Sequence, residues 1–178
     1  MKSVAEVTRH DIQLAIDAGL YRTATALGKR LVAAQPESAA NLTALAGAYA
    51  ALGPRAPEPL DEEKTGQGKK EARKRRGKLT LQEEERTLAA TPAGKETQKA
   101  NYADAEKLYR RAAELEPNYV PAWRGLGELL EKQSQSQQSI EAYRKYLELQ
   151  PAAMDRLMIM RRVKAMESKT APSEKTDK

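Results

Sequence analysis

Three segments of this chain end in the same way, and their spacing constrains the fold more than any other feature. They are "GKRLVAAQP" (28–36), "YRRAAELEP" (109–117) and "YRKYLELQP" (143–151). Each is the end of an amphipathic helix that a proline closes. The last two are offset by 34 along the chain, and the first two by 81, which is the same period with an addition of 47. This spacing predicts stacked helical repeats with one insertion.

The segments upstream of these helix ends follow the same offsets. Residues 41–53 align with residues 122–134, again at an offset of 81, which places Leu42 with Trp123 and Ala46 with Gly127. The other aligned positions are Leu45 with Leu126, Tyr49 with Leu130, then Ala24 with Ala105 and Ser139, and Gly28 with Tyr109 and Tyr143. Each unit therefore consists of two helices, and short connections make neighbouring helices antiparallel.

Two glycines, Gly125 and Gly127, lie inside the helix that carries the only tryptophan, Trp123. A glycine in a helix interior costs about 0.5–1 kcal/mol relative to alanine. For Gly127, a close crossing with the next helix at Ser139 offsets this cost, because small residues let two backbones approach. For Gly125 two interpretations stay open: the residue faces the concave side, or it is merely tolerated.

The composition confines the chain to the all-α class. Ala, Leu, Glu, Lys, Arg and Gln dominate, and all of them favour helices, whereas period-two clusters of Val, Ile and Thr are missing. The chain has no cysteine and a single histidine, His10, which excludes disulfides, thiolate metal sites and multi-histidine metal sites. No apolar run approaches the roughly 20 residues of a membrane span. We expect neither a metal nor a cofactor.

The order of residue types along the repeat unit resembles the tetratricopeptide repeat (TPR). It is a Trp, a Leu three residues later, a small residue and a large one, followed by a small residue, Tyr and Pro. The pattern is clearest in residues 120–153, where the matching residues are Trp123, Leu126, Gly127, Leu130, Ser139, Tyr143, Tyr146 and Pro151. The resemblance covers roughly two thirds of the chain. It implies a right-handed α-α superhelix of three helix pairs, the TPR solenoid, followed by a C-terminal capping helix.

The same register sets the domain organisation that we expect. Residues 1–167 form one TPR-like domain, the first repeat is degenerate, and the second is interrupted by a charged insertion at 53–99. The repeats are expected at 5–38, at 39–52 with 100–119, and at 120–153, and the capping helix at 152–167.

In this family the first helix of each pair lines a concave groove that binds a peptide or a helix of a partner protein. The resemblance therefore implies a protein partner and a groove lined by Arg9, Gln13, Thr43, Gly47, Arg124, Glu128 and Lys132. Some members clamp the C-terminal carboxylate of heat-shock chaperones. Only two of the five clamp positions keep the required chemistry here, which disfavours such tails; the five are Arg9, Gln13, Ala44, Pro121 and Gly125.

The insertion contains "KKEARKRRGK" (69–78), in which seven of ten residues are basic. Acidic runs at 61–63 and 83–85 flank it, and no aromatic residue is interleaved for base stacking. Three interpretations stay open: a solvated charged helix, a patch for an acidic protein, or, least favoured, a nucleic-acid site. The basic residues are Lys69, Lys70, Arg73, Lys74, Arg75, Arg76 and Lys78.

Local signals predict the elements around this segment and at the C-terminus. Thr80 followed by Glu83 is a capping box that predicts a helix at 81–90, and the composition allows another near 60–76. A tail at 168–178 carries no large apolar side chain and is predicted to be disordered. We interpret the expected capping helix as a cover over the end of the stack, and an adaptable binding surface is the alternative. Both interpretations depend on its apolar stripe, which consists of Met154, Leu157, Met158, Met160, Val163 and Met166.

The sequence favours a non-enzymatic interaction module, a scaffold in a multi-protein assembly. No catalytic group converges with another: His10 has no nucleophile near it, and the glycines of 65–70 do not lie between a strand and a helix. Two alternatives stay open, an accessory domain of a larger bacterial enzyme and nucleic-acid binding through 69–78. The N-terminus lacks the apolar core of a signal peptide, so we expect a cytoplasmic chain as given, or an exported one if it is a fragment of a longer precursor.

Overall fold

The computed structural model describes residues 7–55 and 81–170, and all regular secondary structure in these two ranges is helical. The predicted all-α class is therefore confirmed. The helices of the two ranges are α1 (Arg9–Asp17), α2 (Tyr21–Ala34), α3 (Ala39–Leu52), α4 (Leu81–Ala90), α5 (Pro92–Leu115), α6 (Val120–Lys132), α7 (Ser136–Leu149) and α8 (Arg156–Thr170).

The helices stack as pairs in two layers. α1 pairs with α2, α3 with α5, and α6 with α7. The first helices contact one another in turn, α1 against α3 and α3 against α6, and form the inner layer. The second helices, α2, α5 and α7, form the outer layer, and each also contacts the first helix of the next unit or α8. The arrangement is an α-α solenoid, as the register predicted.

Caps and prolines begin the helices where the sequence places them. Thr8 and Asp11 form a capping box at α1, and Ser38 caps α3 by accepting a hydrogen bond from the amide of Asn41. Thr91 caps α5, and Pro92 follows in the first turn, where proline's missing N–H is not needed. These local signals fix the helix starts independently of the packing.

The core lies between the two layers and is built from small residues set among large ones. Leu45, Ala46 and Tyr49 of α3 pack against Ala105 and Tyr109 of α5 in the main cluster, and Ala46 and Ala105 are fully buried. The two stretches that the insertion separates in sequence therefore form one helix pair. Apolar stripes at helical spacing on both helices account for this pairing.

Gly127 lies where α6 crosses α7 closely. The Ser139 hydroxyl donates a hydrogen bond to the Gly127 carbonyl oxygen over 2.9 Å, so the predicted approach of these two residues is present. The tightest neighbour is a different residue, however. A Cβ atom at Gly127 would lie 2.6 Å from Cδ1 of the Tyr143 ring, which is fully buried. The ring, rather than Ser139, is what excludes a side chain at this position.

Several element boundaries differ from the sequence-based expectation. α5 begins at Pro92, inside the segment 53–99 that the sequence assigns to the insertion, because Thr91 and Pro92 start the helix there. The last helix spans Arg156–Thr170, so residues 168–170, predicted to begin the disordered tail, are helical. The helix at 81–90 is confirmed. The second helix that the composition allows, at 60–76, and the rest of the tail, 171–178, lie outside the described residues.

The two ends of the insertion are held together by one buried amide. The Asn101 side chain of α5 is 2% exposed and donates to the carbonyl oxygens of Gly53 and Arg55, over 2.7 and 2.9 Å. Gly53 ends α3 with φ of 59°, a left-handed conformation that glycine adopts without strain. The Arg55 guanidinium lies 4.9 Å from the centre of the Tyr21 ring. We call this arrangement the Asn101 clamp.

The last helix, α8, covers α7 with one face. Ile159, Val163 and Met166 are buried against Tyr143 and Tyr146 of α7. Four apolar residues of the predicted stripe lie on the exposed side of the helix and in the turn before it: Met154, Leu157, Met158 and Met160. The sequence-based stripe therefore mixed two faces, and it omitted Ile159, which is fully buried.

Candidate partner-binding site

The structure places all seven predicted groove residues on the three helices of the inner layer. Arg9 and Gln13 lie on α1, Thr43 and Gly47 on α3, and the remaining three on α6: Arg124, Glu128 and Lys132. The side chains of Arg9 and Gln13 are exposed. α3 contacts both α1 and α6, and we call the surface that these three helices share the inner groove; that all seven side chains line it stays a prediction.

The floor of the inner groove between α3 and α6 is formed by glycines and by one tyrosine. Tyr109 reaches this floor from α5 in the outer layer. A Cβ atom at Gly125 would lie 2.5 Å from Cζ and 2.7 Å from the hydroxyl of Tyr109, and one at Gly47 would lie 3.6 Å from that hydroxyl. The unexplained glycine at 125 is therefore required, because the Tyr109 ring occupies the space of its side chain.

Two hydroxyl groups on this floor lack hydrogen-bond partners within the described parts of the chain. The Thr43 hydroxyl is buried and unpaired, and Thr43 lies one helical turn before Gly47. Tyr109 is 6% exposed, and its hydroxyl is aimed between Gly47 and Gly125. Burial, followed by the nearby Glu128 carboxylate, raises the pKa of Tyr109, so the hydroxyl stays protonated. Buried polar groups are usually paired, and the Thr43 hydroxyl is an exception.

Charged side chains form a network along the α6 side of the groove. The Arg124 guanidinium is 2.9 Å from Asp155 and 3.2 Å from Glu128. The Tyr146 hydroxyl donates to the other oxygen of Asp155 over 2.5 Å. The hydrogen bond from Tyr146, assisted by Arg124, holds the pKa of Asp155 below its usual value. The network joins α6 and α7 to the residue that precedes α8.

The Asp155 carboxylate is expected to stabilise the attachment of α8. An Asp155→Asn variant should lose about 1–2 kcal/mol of unfolding free energy at pH 7, because hydrogen bonds to charged groups are the stronger ones and Arg124 is partly screened by water. A carboxyl whose pKa is lowered by folding stabilises above its unfolded pKa of about 3.9. The difference from wild type should therefore persist down to about pH 4, the unfolded pKa, and disappear only as the pH falls further, through the lowered pKa of the folded protein.

Urea unfolding of both proteins at several pH values measures this effect. Glu148→Gln is the control, because Glu148 pairs with Lys145 and its side chain is 68% exposed, so its loss should change stability by less than about 0.5 kcal/mol. Equal stabilities of wild type and Asp155→Asn at pH 7 would contradict the role of the carboxylate.

Residues 69–78, the basic segment, lie outside the described residues, and so does every lysine and arginine of the predicted basic patch. Within 7–55 and 81–170, no group of three or more His, Asp or Glu side chains could hold a metal ion. In the same ranges, no helix combines the length and the apolar character that a membrane crossing requires.

The paired helices and their inner groove define a helical-repeat protein. Residues 108–141 match the family model of the tetratricopeptide repeat. A solved structure of a thermophilic TPR protein from Thermus thermophilus is similar with a TM-score of 0.57 and 16% sequence identity, over 90% of this chain and 62% of that one. The chain thus spans 62% of the length of that protein, and at this identity the similarity shows the fold alone. None of the curated protein sequences is significantly similar to this chain.

The chain therefore resembles the tetratricopeptide-repeat family in sequence over residues 108–141 and in fold over 90% of its length, which confirms the resemblance and the fold class predicted from the sequence. Proteins of this family are in general non-enzymatic scaffolds for protein interactions. The number of repeats and the bounds of the insertion stay predictions. Tyr109 is the site residue that sequence analysis missed: the alignment places it with Tyr143, and nothing in that alignment indicates that its hydroxyl reaches the groove.

Proposed function

We propose that the protein is a scaffold that binds a peptide or a helix of a partner protein in the inner groove, as one component of a multi-protein assembly. The observation that supports this most is the buried, unpaired hydroxyl of Thr43, one helical turn before Gly47, together with the Tyr109 hydroxyl that lies beside Gly47 and Gly125. Leaving a buried polar group unpaired costs about 1–3 kcal/mol. A bound segment with free hydrogen-bonding groups removes that cost.

The shape of the groove favours the same function. Its floor has no large side chain at 47 or 125, because both residues are glycines. Its sides carry both signs of charge, with Arg9 on α1 and Glu128 and Lys132 on α6. An open floor with polar sides suits a segment that offers backbone groups and side chains together, rather than a small apolar ligand.

Blocking the floor is expected to abolish binding without unfolding the protein. In Gly47→Leu the new Cβ atom would lie 3.6 Å from the Tyr109 hydroxyl, an ordinary contact, and the rest of the side chain would extend into the groove. Peptides selected on the wild-type protein from a random phage-displayed library should bind Gly47→Leu at least tenfold more weakly. Fluorescence anisotropy of the synthetic peptides gives both affinities.

The matched control adds the same side chain to the outer layer. Ala103 of α5 is exposed, so Ala103→Leu should leave every peptide affinity unchanged. Circular dichroism establishes that both variants are folded. Peptides that bind Gly47→Leu as tightly as wild type would show that the binding surface lies elsewhere and would exclude the inner groove.

A further inference from the structure

Tyr109 and Tyr143 occupy the same position in successive repeats, at the offset of 34, but only one hydroxyl is satisfied. The Tyr143 hydroxyl donates to the Glu131 carboxylate over 2.8 Å. The Arg162 guanidinium of α8 lies 3.1 Å from the same carboxylate oxygen and 3.5 Å from the Tyr143 hydroxyl. In the last repeat, this position therefore has a complete hydrogen-bond network of a tyrosine hydroxyl, a carboxylate and a guanidinium.

The equivalent position around Tyr109 is open, and the sequence register shows why. Ala50 is equivalent to Glu131 by the offset of 81, and Glu128 is equivalent to Arg162 by the offset of 34. Alanine cannot reach the hydroxyl, and the cation is replaced by a carboxylate. Gly47 leaves further space beside the hydroxyl, because a Cβ atom there would still lie 3.6 Å from it. A hydroxyl, a carboxylate and a gap remain where the next repeat has a complete network.

The network of charged side chains around Arg124, beside this gap, carries a net negative charge. Two carboxylates, Glu128 and Asp155, surround the single guanidinium of Arg124, at 3.2 and 2.9 Å. Arg124 is therefore already neutralised, and one negative charge is left over. The group that the gap lacks, by comparison with Tyr143, is a cationic hydrogen-bond donor at the position of the Arg162 guanidinium.

We propose that Tyr109 and Glu128 form a subsite of the inner groove that takes a lysine or arginine side chain of the bound partner. The ammonium or guanidinium donates to the Tyr109 hydroxyl oxygen and to the Glu128 carboxylate, as Arg162 does to Tyr143 and Glu131. This inference rests on the proposed function, because it names the chemistry that the same groove recognises.

The hydroxyl itself allows the test, because the two tyrosines should respond in opposite ways. Tyr109→Phe removes a hydroxyl with no partner in the free protein, so the stability should be unchanged or slightly higher, while peptides with a basic residue should bind about tenfold more weakly. Tyr143→Phe removes a hydroxyl bonded to Glu131, so the stability should fall while the affinity for the peptides stays the same. If Tyr109 had only a structural role, Tyr109→Phe would not lower the peptide affinity while leaving the stability unchanged.

The probes are the synthetic peptides selected on the wild-type protein that lose affinity for Gly47→Leu. We expect each to contain a lysine or arginine whose replacement by norleucine or citrulline lowers the affinity about tenfold, and we expect Glu128→Gln to lower it similarly. Three outcomes would overturn the subsite but not the proposed binding in the groove. They are peptides without a basic residue, peptides whose binding depends on an acidic residue, and an unchanged affinity for Tyr109→Phe. If no selected peptide responds to Gly47→Leu, the proposed function fails as well.

Discussion

Gly127→Ala is expected to destabilise the protein by about 1–3 kcal/mol, although alanine is the better helix former. The new Cβ atom would lie 2.6 Å from Cδ1 and 2.7 Å from Cε1 of Tyr143. That ring cannot move aside, because it is fully buried and its hydroxyl is bonded to Glu131. Inserting one carbon into a well-packed core typically costs about 1–3 kcal/mol through displaced side chains and backbone.

The same substitution at Gly47 provides the matched control. Gly47 also lies in a helix interior, but its nearest neighbour would be 3.6 Å from the new Cβ atom. Gly47→Ala should therefore stabilise the protein by about 0.5–1 kcal/mol, the helix propensity difference. Guanidinium unfolding followed by circular dichroism and by Trp123 fluorescence measures both. Similar free energies for the two variants would mean that the Tyr143 ring does not confine Gly127.

Asn101→Ala is expected to cost about 2–4 kcal/mol. The substitution removes the donor that satisfies the carbonyl oxygens of Gly53 and Arg55, and both of these residues are buried. Losing a hydrogen bond to a buried acceptor costs about 1–3 kcal/mol, and solvent reaches the site with difficulty because Asn101 is 2% exposed.

The control for the Asn101 clamp comes from the same helix. Gln98 of α5 donates to the Tyr102 hydroxyl over 3.2 Å at a partly buried position, and Gln98→Ala should change the stability by less than about 0.5 kcal/mol. Chemical unfolding under the same conditions as for the glycine variants compares the two. An Asn101→Ala protein as stable as Gln98→Ala would show that the two carbonyl groups find other partners.

The helices and their register could be predicted from the sequence because both depend on side-chain size at fixed spacing. Ala46, Ala105 and Ser139 are fully buried at the positions that the alignment assigned to small residues. The pattern that identifies each position lies within a few residues of it, so apolar periodicity, caps and prolines are sufficient to find these positions.

The groove floor could not be predicted in the same way, because it depends on contacts between helices far apart in sequence. Gly125 is explained only by the Tyr109 ring of the preceding repeat. The alignment indicates Ser139 as the neighbour of Gly127, but it cannot show that the Tyr143 ring lies closer to Gly127. One sign of the missing hydrogen-bond partner of Tyr109 is nevertheless in the sequence, since the alignment pairs Ala50 with Glu131. It can be interpreted only once the hydrogen bond between Glu131 and Tyr143 is known.

The Asn101 clamp also limits what a change of length between Arg55 and α4 is expected to cost the stack. Because the emerging chain is fastened to the framework at Gly53 and Arg55, foreign sequence of another length can be accommodated there mainly at the expense of closing a longer loop, about 0.6 kcal/mol for each doubling. We therefore expect the stretch between Arg55 and α4 to be a grafting point, at which cargo can be exchanged without altering the proposed groove.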